Sequence, residues 1–398
     1  MSEGPLSHLR ILDCSTGIAG PYCTRLFAGF GALTLKIEPP CSGDPQRQRG
    51  PFYHNQPGLE RSLSFHWLNA GKRSITLDLE HPQAPELLHA LVADVDILVE
   101  SFLPGTLQRL GFDYKSLASI NPRLILVSIS DFGQSGPRRH WKATDIVHYA
   151  MSGAMSLTGD PDRPPLNSGP AIAAYTAGLH AYLAALLALQ RRHEDGIGDW
   201  VDVSIQESSL ENVEIKLAEA LLAAHQAQRN ADNHAMTPWQ CYPTADGIAA
   251  IIGGPLRNWA GAAEAFDDQA LVEPPFDTIV GRNTNREKVH DRVRAALKSR
   301  TKREIYHRGQ AAGLAFGYLA SLAEVLEWPQ HIARRFLQPT DPHPVVGSLL
   351  SMTAPFHPST TSWRTGRAPL LGEHNEAIYA ELGYSREALV SLADSGII

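Results

Sequence analysis

The stretch Pro5 to Arg47, PLSHLRILDCSTGIAGPYCTRLFAGFGALTLKIEPPCSGDPQR, decides how the chain begins to fold. Its apolar run from Arg10 to Ser15 has the length of a buried strand, and a tight loop of small residues follows. Tyr22 to Phe30 then predicts a helix, and Leu33 to Glu38 predicts a second strand. Two strands joined by a crossover helix lie parallel in one sheet, so the stretch predicts a βαβ unit.

The loop Ile18-Ala19-Gly20-Pro21 leaves backbone N–H groups unpaired at the start of the predicted helix. These donors and the helix dipole favour negative charge, so the loop suits an anionic or nucleotide-bearing ligand. A Rossmann NAD site is the less favoured alternative. The segment Gly29-Phe30-Gly31 lacks the third glycine of the dinucleotide fingerprint and lies at the far end of the helix.

The composition indicates a globular enzyme of more than one domain. The 398 residues are 43% hydrophobic, which allows sizeable cores. A net charge of -7 provides no basic field for DNA or RNA, so we expect no nucleic-acid partner.

The cysteines indicate a reducing compartment. Cys14, Cys23, Cys41 and Cys241 are scattered without C-x-x-C spacing, and no signal peptide pattern opens the sequence. We therefore expect a cytoplasmic location, free thiols and no metal site.

One segment is long enough to cross a membrane. The residues from Ala171 to Gln190 carry no charge. Thr176, His180 and the many alanines lower their hydrophobicity, so a buried core helix is the favoured interpretation and we expect no membrane partner.

Further strands predict an α/β fold with an open parallel sheet. Apolar segments at Ser74 to Leu79, Asp96 to Ser101 and Arg123 to Ile129 alternate with helical patterns, notably Pro82 to Ala93. The loop Ser101 to Gly105 follows one of these strands, at the sheet edge where such folds bind ligands. We expect it to lie near the first loop.

The second half is mainly helical before a new domain begins. We expect a helix from Gly169 to about His193, a strand Trp200 to Ser204 and a helix from about Gln206 to Gln226. After a polar break, Thr237 to Gly254 predicts a hairpin with its turn at Ala245-Asp246-Gly247.

The predicted domains follow from these elements. Residues 1–200 form the first part of a large ligand-binding domain, 201–228 a helical linker, 229–325 a smaller α+β domain, and 326–398 a return to the large domain. Helices near Asn258 to Ala265, Arg286 to Ser299 and Lys302 to Gln310 complete the smaller domain.

Several ordered blocks resemble the class III coenzyme A transferases, which include formyl-CoA transferases, the CaiB/BaiF proteins and related racemases. The opening stretch resembles the family pattern almost position by position. The other blocks are LNAGKRSITLDL from Leu68, VESFLPGTLQRLG from Val99, NPRLILVSISDFGQSGP from Asn121, DIVHYAMSGAMSLTG from Asp145 and PLLGEH from Pro369.

The resemblance implies a fold, a substrate and partners. Members have a Rossmann-like large domain made from both ends of the chain, a smaller middle domain, and two interlocked protomers. Coenzyme A is the substrate rather than a tightly bound cofactor, and the partners are acyl-CoA esters, carboxylic acids and either a second copy or a paralogous subunit.

The resemblance also implies where coenzyme A lies. We expect Gly17, Ile18 and Ala19 near the pantetheine, and Ser101, Phe102 and Leu103 near the adenine. Lys72 and Arg109 are the cations expected beside the phosphates, since both can donate charge-assisted hydrogen bonds. The alternative for each is a solvated surface cation.

The acyl pocket is implied less directly. Gly253-Gly254 resembles the glycine loop that closes over the reacting acyl group, although a turn ending a strand is an equally good interpretation. Trp239, Gln240 and Tyr242 are candidates for the pocket wall, while aromatic residues in a hairpin more often belong to a core.

The sequence departs from the family at the nucleophile. Members use an aspartate four residues before the glycine of the alanine-rich helix, and counting back from Gly178 gives Ala174. Three explanations stay open: an engineered substitution that traps a complex, a natural non-catalytic subunit paired with an active paralogue, and a substitute nucleophile, for which Asp145 is the nearest candidate.

Asp145 also has a structural interpretation, because Asp commonly caps a helix and one begins at Ile146. The racemase branch uses a His just before that position, where Thr144 stands here, together with the missing Asp. His148, one turn later, is expected to pack or to hydrogen-bond rather than to act as a base. The donor and acceptor acids stay undetermined.

Overall fold

The computed structural model describes residues 4–224, 226–231, 234, 236–252 and 259–398. Contacts group the chain into two units. The first comprises Met1–Ala154, Asn167–Leu221 and Gln330–Ile398, and the second comprises Met155–Leu166 and Leu222–Pro329. Both ends of the chain thus belong to the first unit, while the domain bounds given above stay a prediction.

The first unit contains a parallel sheet of six strands in the order β3-β2-β1-β4-β5-β6. The strands are β1 (Arg10–Asp13), β2 (Leu33–Glu38), β3 (Arg73–Thr76), β4 (Ile97–Glu100), β5 (Ile125–Ser130) and β6 (Asp199–Ser204). The predicted α/β class with an open parallel sheet is confirmed. Strands β2 and β3 follow on one side of β1, and β4, β5 and β6 follow on its other side. The strand order therefore reverses between β1 and β4, which is a topological switch point.

Helices cover both faces of this sheet. The helices of this part of the chain are α1 (Ala19–Gly29), α2 (Leu63–Leu68), α3 (Ala84–Val92), α4 (Thr106–Arg109), α5 (Tyr114–Ile120), α6 (Asp145–Met151), α7 (Ile172–Asp195), α8 (Ile205–Leu210) and α9 (Glu214–Ala223). The single helix expected from Gln206 to Gln226 is divided into α8 and α9 by a short 3-10 turn, Glu211–Val213.

The apolar strand residues alternate between two cores. Leu12, Leu35 and Leu98 face a cluster with α3 and α5, while Ile11, Ile97 and Val127 face a cluster with α1 and α7. Side chains on successive strand residues point to opposite faces, so strands buried on both faces read as continuous apolar runs.

The alanine-rich helix α7 lies against α1 through its small residues. Ala177, Ala181 and Ala185 are 0% exposed, whereas Leu183 on another face is 53% exposed. The predicted core helix is therefore buried along one face. Within the described ranges, α7 alone is long and apolar enough to span a membrane, and 33% of its most apolar window is buried.

Replacing Gly178 by alanine is expected to weaken the contact between α7 and α1. A methyl group there would lie 2.5 Å from the carbonyl oxygen of Ala19, which is backbone and moves only with α1. Alanine favours a helix interior by about 1 kcal/mol over glycine, and overpacking costs typically 1–3 kcal/mol. We expect a net loss of roughly 1 kcal/mol in urea unfolding, whereas Gln190→Ala on the exposed face should change little. An unchanged or higher midpoint for Gly178→Ala would contradict the close contact.

The second unit contains an antiparallel sheet of three strands in the order β7-β8-β9. β7 (Trp239–Pro243) and β8 (Ile248–Ile252) form the predicted hairpin, and β9 (Phe316–Tyr318) joins β8 from much later in the chain. The helices that follow β8 are α10 (Gly261–Phe266), α11 (Ile279–Thr284), α12 (Arg286–Leu297), α13 (Lys302–Ala311) and α14 (Leu322–Leu326). Gly253 and Gly254 lie outside the described residues.

The last elements of the chain are α15 (Pro329–Ala333), β10 (Leu337–Pro339), β11 (Leu350–Met352), α16 (Asn375–Glu381) and α17 (Arg386–Asp394). Of these, α16 packs along β3 of the first unit. The Tyr379 hydroxyl donates to the carbonyl oxygen of Thr76 at 2.8 Å, and the Asn375 amide group donates to the Thr76 hydroxyl at 2.6 Å. The chain end therefore covers the edge strand of the sheet, which limits pairing with other chains.

Candidate active site

Two loops meet at the switch point of the sheet. The loop after β1 contains Gly17 and Ile18 and leads into Ala19, the first residue of α1, and the loop after β4 contains Ser101, Phe102 and Leu103. The Thr16 amide donates to the Ser101 hydroxyl at 2.8 Å, and that hydroxyl lies 3.1 Å from the Thr16 carbonyl oxygen. The expected closeness of the two loops is confirmed, and they form one rim at the carboxyl edge, where open α/β sheets bind ligands.

A buried ion cluster holds both ends of the first loop. The Asp13 carboxylate accepts hydrogen bonds from the Ser15 amide at 3.0 Å and from Lys72 Nζ at 2.8 Å. Lys36 Nζ donates to the Ser15 carbonyl oxygen at 2.8 Å, and Lys72 Nζ donates to the Pro21 carbonyl oxygen at 2.9 Å. The charged groups thus fix the chain immediately before and after residues 16–20.

The cluster has strongly shifted pKa values. Burial alone would raise the pKa of Asp13, but the ammonium groups of Lys36 and Lys72 outweigh it and hold that pKa below its usual range. Burial lowers the pKa of Lys72 to about 8, against the attraction of Asp13. The carboxylate is therefore ionised at neutral pH, and it orients the loop through charge-assisted hydrogen bonds.

The position of Lys72 differs from the prediction that places it beside the phosphates of coenzyme A. Its side chain is 0% exposed, and Nζ donates to Asp13, to the Pro21 carbonyl oxygen and to Asn69 Oδ1. An ammonium group has three protons, so all of them are used within the fold. Lys72 is neither a solvated surface cation nor free to contact a phosphate.

Arg109 keeps the exposure that a phosphate contact requires. It ends α4, directly after the second loop, and its guanidinium is 60% exposed. Glu80 is its ion-pair partner at 2.8 Å and is itself exposed, so the pair is weak and easily exchanged for an anionic ligand.

A cleft of about 590 Å³ opens beyond the second loop. Leu103 and Gln134, which follow β4 and β5, line it together with Trp200 of β6 and the basic residues Arg139 and His140. These basic residues were not among the predicted site residues, although the run Arg-Arg-His after a strand's carboxyl end was a visible signal. Their position makes them further candidates for binding an anionic ligand.

Glu100 lies at the base of this cleft and is only 3% exposed. Its Oε2 accepts a hydrogen bond from the Phe102 amide at 2.7 Å. Burial nevertheless raises the pKa of Glu100 to about 7, because it disfavours the charged form more than the bonds from Phe102 and Ser128 favour it.

We expect Glu100→Gln to change how stability depends on pH. The folded protein holds the proton of Glu100 more tightly than the unfolded chain, so stability falls as pH rises from about 4.5 to about 7. Above that range the buried carboxylate costs on the order of 3 kcal/mol. Glutamine removes this cost, so the variant should be more stable than the parent in urea unfolding at pH 8 and nearly equal at pH 4.5. Identical profiles for both proteins would contradict the raised pKa.

Position 174 lies beside the first loop. Ala174 is the third residue of α7 and packs against the cluster that contains Ala19 and Cys23. One turn later, Gly178 brings the α7 backbone against the Ala19 carbonyl oxygen. A side chain at 174 therefore projects from the start of a long helix, where the helix dipole favours a negative group.

Asp145 occupies a different place from the expected cap. It is the first residue of α6, whose N-cap is Thr144, and its Oδ1 accepts a hydrogen bond from the Ala173 amide at 3.1 Å. The carboxylate thus caps α7 rather than α6. This contact brings Asp145 next to position 174 in space, which no local pattern in the sequence could indicate.

His148 is buried and holds the neighbouring loop. Its Nε2 lies 3.1 Å from Asp131 Oδ1, and the other oxygen of Asp131 accepts from the Ala143 amide at 2.9 Å. The expectation that His148 packs and hydrogen-bonds is confirmed. The Asp131 carboxylate thus contacts one residue before Asp145 in the chain, Ala143, and one residue after it, His148.

The remaining predicted residues lie in the second unit. Trp239 and Gln240 are on β7, where the Trp239 ring stacks on His234 with centroids 4.6 Å apart. Their assignment to an acyl pocket stays a prediction. In the part of the chain that the structure describes, no three His, Cys, Asp or Glu side chains converge as metal ligands.

Known proteins match this chain over nearly its whole length. Residues 6–375 match the model of CoA-transferase family III. Succinyl-CoA–D-citramalate CoA-transferase of Chloroflexus aurantiacus is 33% identical, over 99% of this chain and 98% of that protein. The BbsE subunit of succinyl-CoA:(R)-benzylsuccinate CoA-transferase of Thauera aromatica is 31% identical, over 98% of each chain. A CaiB/BaiF family protein of Brucella suis has a similar crystal structure, with a TM-score of 0.86, 30% identity and coverage of 96% of this chain and 100% of that one.

Proposed function

The chain belongs to CoA-transferase family III, and on that premise we propose that it binds an acyl-CoA at the carboxyl edge of the sheet and transfers coenzyme A between carboxylic acids. The observation that carries this proposal is the pair of loops joined by Thr16 and Ser101, with Ala174 packed against the apolar cluster that contains Ala19. In this proposal Gly17, Ile18 and Ala19 contact the pantetheine. Ser101, Phe102 and Leu103 lie toward the adenine, and Arg109, Arg139 and His140 surround the phosphates.

The aspartyl route is the chemistry proposed for such a site. A carboxylate attacks the thioester carbonyl, the C–S bond breaks, and the thiolate leaves behind a mixed anhydride. The thiolate then attacks the aspartyl carbonyl and releases the donor acid as a carboxylate. Attack by the acceptor acid and return of the thiolate complete the exchange, with no net uptake of protons or electrons.

The expected nucleophile is absent from this chain, because a methyl group stands at position 174. Our first proposal is an otherwise complete transferase site in which Ala174 replaces the aspartate. Asp145 is a neighbouring carboxylate, because its Oδ1 is bonded to the Ala173 amide. As a proposed substitute nucleophile, Asp145 would have to give up this contact or react through its other oxygen.

A second candidate function is a coenzyme A-binding subunit without chemistry of its own. Two observations favour it: the alanine at 174, and the similarity to a protein that is itself a subunit of a CoA-transferase. In this case an aspartate-bearing paralogue would supply the reacting site.

We also propose that the working form contains a second subunit, either a copy or a paralogue. The leucine face of α7 supports this, because Leu179, Leu183 and Leu187 are 51%, 53% and 65% exposed in a single row. The proposed partners include neither nucleic acid nor a membrane. The proposed location is the cytoplasm, which fits the free thiols.

Titration calorimetry with coenzyme A tests the binding site that both candidate functions share. We expect saturable binding of coenzyme A and none of NADH. Arg139→Ala should weaken binding roughly tenfold, since it removes a charge-assisted contact. Arg294→Ala, which removes an exposed arginine of α12 in the second unit that pairs with Asp291, should leave the affinity unchanged. Equal binding of NADH, or no binding of coenzyme A, would overturn both candidates.

A further inference from the structure

The first loop is a narrow turn whose two ends are in contact. A methyl group added at Gly20 would overlap the side chain of Ser15, so the chain leaves β1 and enters α1 at nearly the same place. Gly17, in the middle of the loop, has a φ of 77°, which favours glycine. A Cβ added there would meet no atom of the described residues within 4 Å. The shape of the loop therefore depends on how its ends are held.

One side chain, that of Lys72, connects those two ends. Its Nζ donates to Asp13 Oδ2 at 2.8 Å, and the same carboxylate accepts from the Ser15 amide at the start of the loop. Nζ also donates to the Pro21 carbonyl oxygen at 2.9 Å, just after the loop, and to Asn69 Oδ1 at 2.8 Å. The three protons of the ammonium group thus meet three acceptors. A neutral amine has only two protons, so one acceptor would lose its donor.

The Pro21 carbonyl oxygen is the acceptor that can be released at the lowest cost. Asp13 is 0% exposed, and a buried carboxylate that loses a donor is strongly disfavoured. Turning the Asn69 amide would break the bond from its Nδ2 to the Phe65 carbonyl oxygen, which is 3.1 Å long. The Pro21 carbonyl lies inside α1, where the helix backbone supplies a donor, and Thr24 Oγ1 lies 3.2 Å away. Loss of one proton therefore detaches the far end of the loop from the near end.

The surrounding charges decide which ammonium group titrates first. Four buried charges face one another, those of Asp13 on β1, Lys36 on β2, Asp44 after β2, and Lys72. Lys36 Nζ lies 2.8 Å from the Asp44 carboxylate and 3.9 Å from that of Asp13. Among the described ion pairs, Lys72 has only Asp13.

The pKa values follow from this difference in counter-charges. Burial acts to lower the pKa of Lys36, but its two carboxylates outweigh burial and hold that pKa above its usual range. Burial lowers the pKa of Lys72 to about 8. From α1 the thiol of Cys23 faces Lys72, and burial raises the pKa of this thiol, so it stays neutral. The contact from the end of α2 is an uncharged amide. Lys72 is thus the member of the cluster that loses its proton in mildly alkaline solution.

We propose that Lys72 is a positioning residue for coenzyme A, because its ammonium form ties the two ends of the first loop together and its neutral form releases them. The affinity for coenzyme A then falls as the solution becomes alkaline. This inference rests on the function proposed above, which places Gly17, Ile18 and Ala19 against the pantetheine. Lys72 touches no part of the ligand and acts through the loop alone.

The affinity for S-methyl-coenzyme A, measured by titration calorimetry between pH 7 and pH 9.5, tests this coupling. The methyl group blocks the thiol and the phosphates are already ionised, so the ligand itself does not titrate in this range. Since only the ammonium form holds the loop, the apparent affinity should fall at least about tenfold. A constant affinity overturns the role of Lys72 and leaves the proposed function intact, whereas the absence of binding at pH 7 overturns the proposed function.

Amide hydrogen exchange tests the loop without any ligand. The protection factors of residues 15–22, each taken relative to the intrinsic exchange rate at the same pH, should fall several-fold between pH 7 and pH 9.5. Those of α3, in the same unit, should stay constant. Constant protection of the loop, or an equal fall in α3, overturns the proposal whether or not coenzyme A binds.

Asn69→Asp is the matched variant. It places a second carboxylate beside the Lys72 ammonium, where the amide oxygen already accepts from it, and so favours the charged form. We expect the fall in affinity and in protection to begin at least about one pH unit higher than in the parent. Lys298→Met, which removes an exposed lysine at the end of α12, should keep the parent profile. An unshifted profile in Asn69→Asp contradicts the proposal, and if this variant fails to fold, the exchange profile of the parent decides it.

Discussion

Replacing Ala174 by aspartate is expected to raise the rate of coenzyme A exchange by at least on the order of a thousandfold in the isolated protein. Removing a covalent nucleophile from an enzyme commonly lowers its rate by a factor of this size or larger. Supplying a nucleophile to a site that is otherwise formed should therefore raise the exchange rate by a similar factor. The site is formed in this chain, because α7 and the first loop are in contact at Gly178 and the loop is held at both ends by charged groups.

The exchange assay uses succinyl-CoA with citramalate and benzylsuccinate, the acids in the names of the two related enzymes. Ala174→Asn is the matched control, since it has nearly the size of aspartate but no nucleophilic carboxylate, and it should stay at the parent rate. Hydroxylamine should trap an acyl-enzyme on the tryptic peptide that contains residue 174 only in the aspartate variant.

The outcomes separate the explanations for the missing nucleophile. Rapid exchange by Ala174→Asp alone supports a complete transferase site that lacks one residue. Intact coenzyme A binding without exchange, followed by exchange on adding a paralogue, supports the subunit function. Activity in the parent that disappears in Asp145→Asn, with trapping at residue 145, identifies Asp145 as the substitute nucleophile.

Lys36→Met is expected to cost roughly 3–5 kcal/mol in the free energy of unfolding. The Lys36 ammonium is 0% exposed, lies 2.8 Å from the Asp44 carboxylate and donates to the Ser15 carbonyl oxygen. Methionine fills a similar volume but leaves Asp44 buried without a counter-charge, and an uncompensated buried charge carries a cost of this size. The measurement is urea unfolding at pH 7, with coenzyme A affinity as the second readout.

Two variants make this test specific. Lys216→Met removes an exposed ion pair with Glu219 on α9 and should cost less than about 1 kcal/mol. Adding Asp44→Asn to Lys36→Met removes the unpaired carboxylate, so it should recover part of the lost stability. A loss in Lys36→Met as small as that in Lys216→Met would show that water reaches the cluster.

Local patterns predicted the sheet well. The six strands of the first unit lie where strands were predicted, with ends shifted by at most three residues, and the central ones are continuous apolar runs because they are buried on both faces. Strand β9 was missed, because Phe316–Tyr318 is a short segment that becomes a strand only by pairing with Ala249–Ile251.

Side-chain partners were predicted less well than strands. Lys72 follows a glycine in a polar segment that resembles surface, yet it is buried against Asp13, 59 residues earlier. Asp145 precedes a helix in the manner of a cap, yet it bonds to the amide of Ala173, 28 residues later. Both partners are distant in sequence, so a local pattern contains no information about either contact.

The sequence by itself determined the βαβ opening, the ligand edge of the sheet and the alanine at position 174, since each is a matter of local residue type and order. The tertiary structure alone decided which charges face each other and which loops meet at the edge of the sheet. The opening stretch shows the difference: its pattern identifies a loop suited to a ligand, but Lys72 and Ser101 from two other segments hold that loop in place. Such contacts depend on how the segments pack, because burial and hydrogen-bond partners are properties of the folded chain.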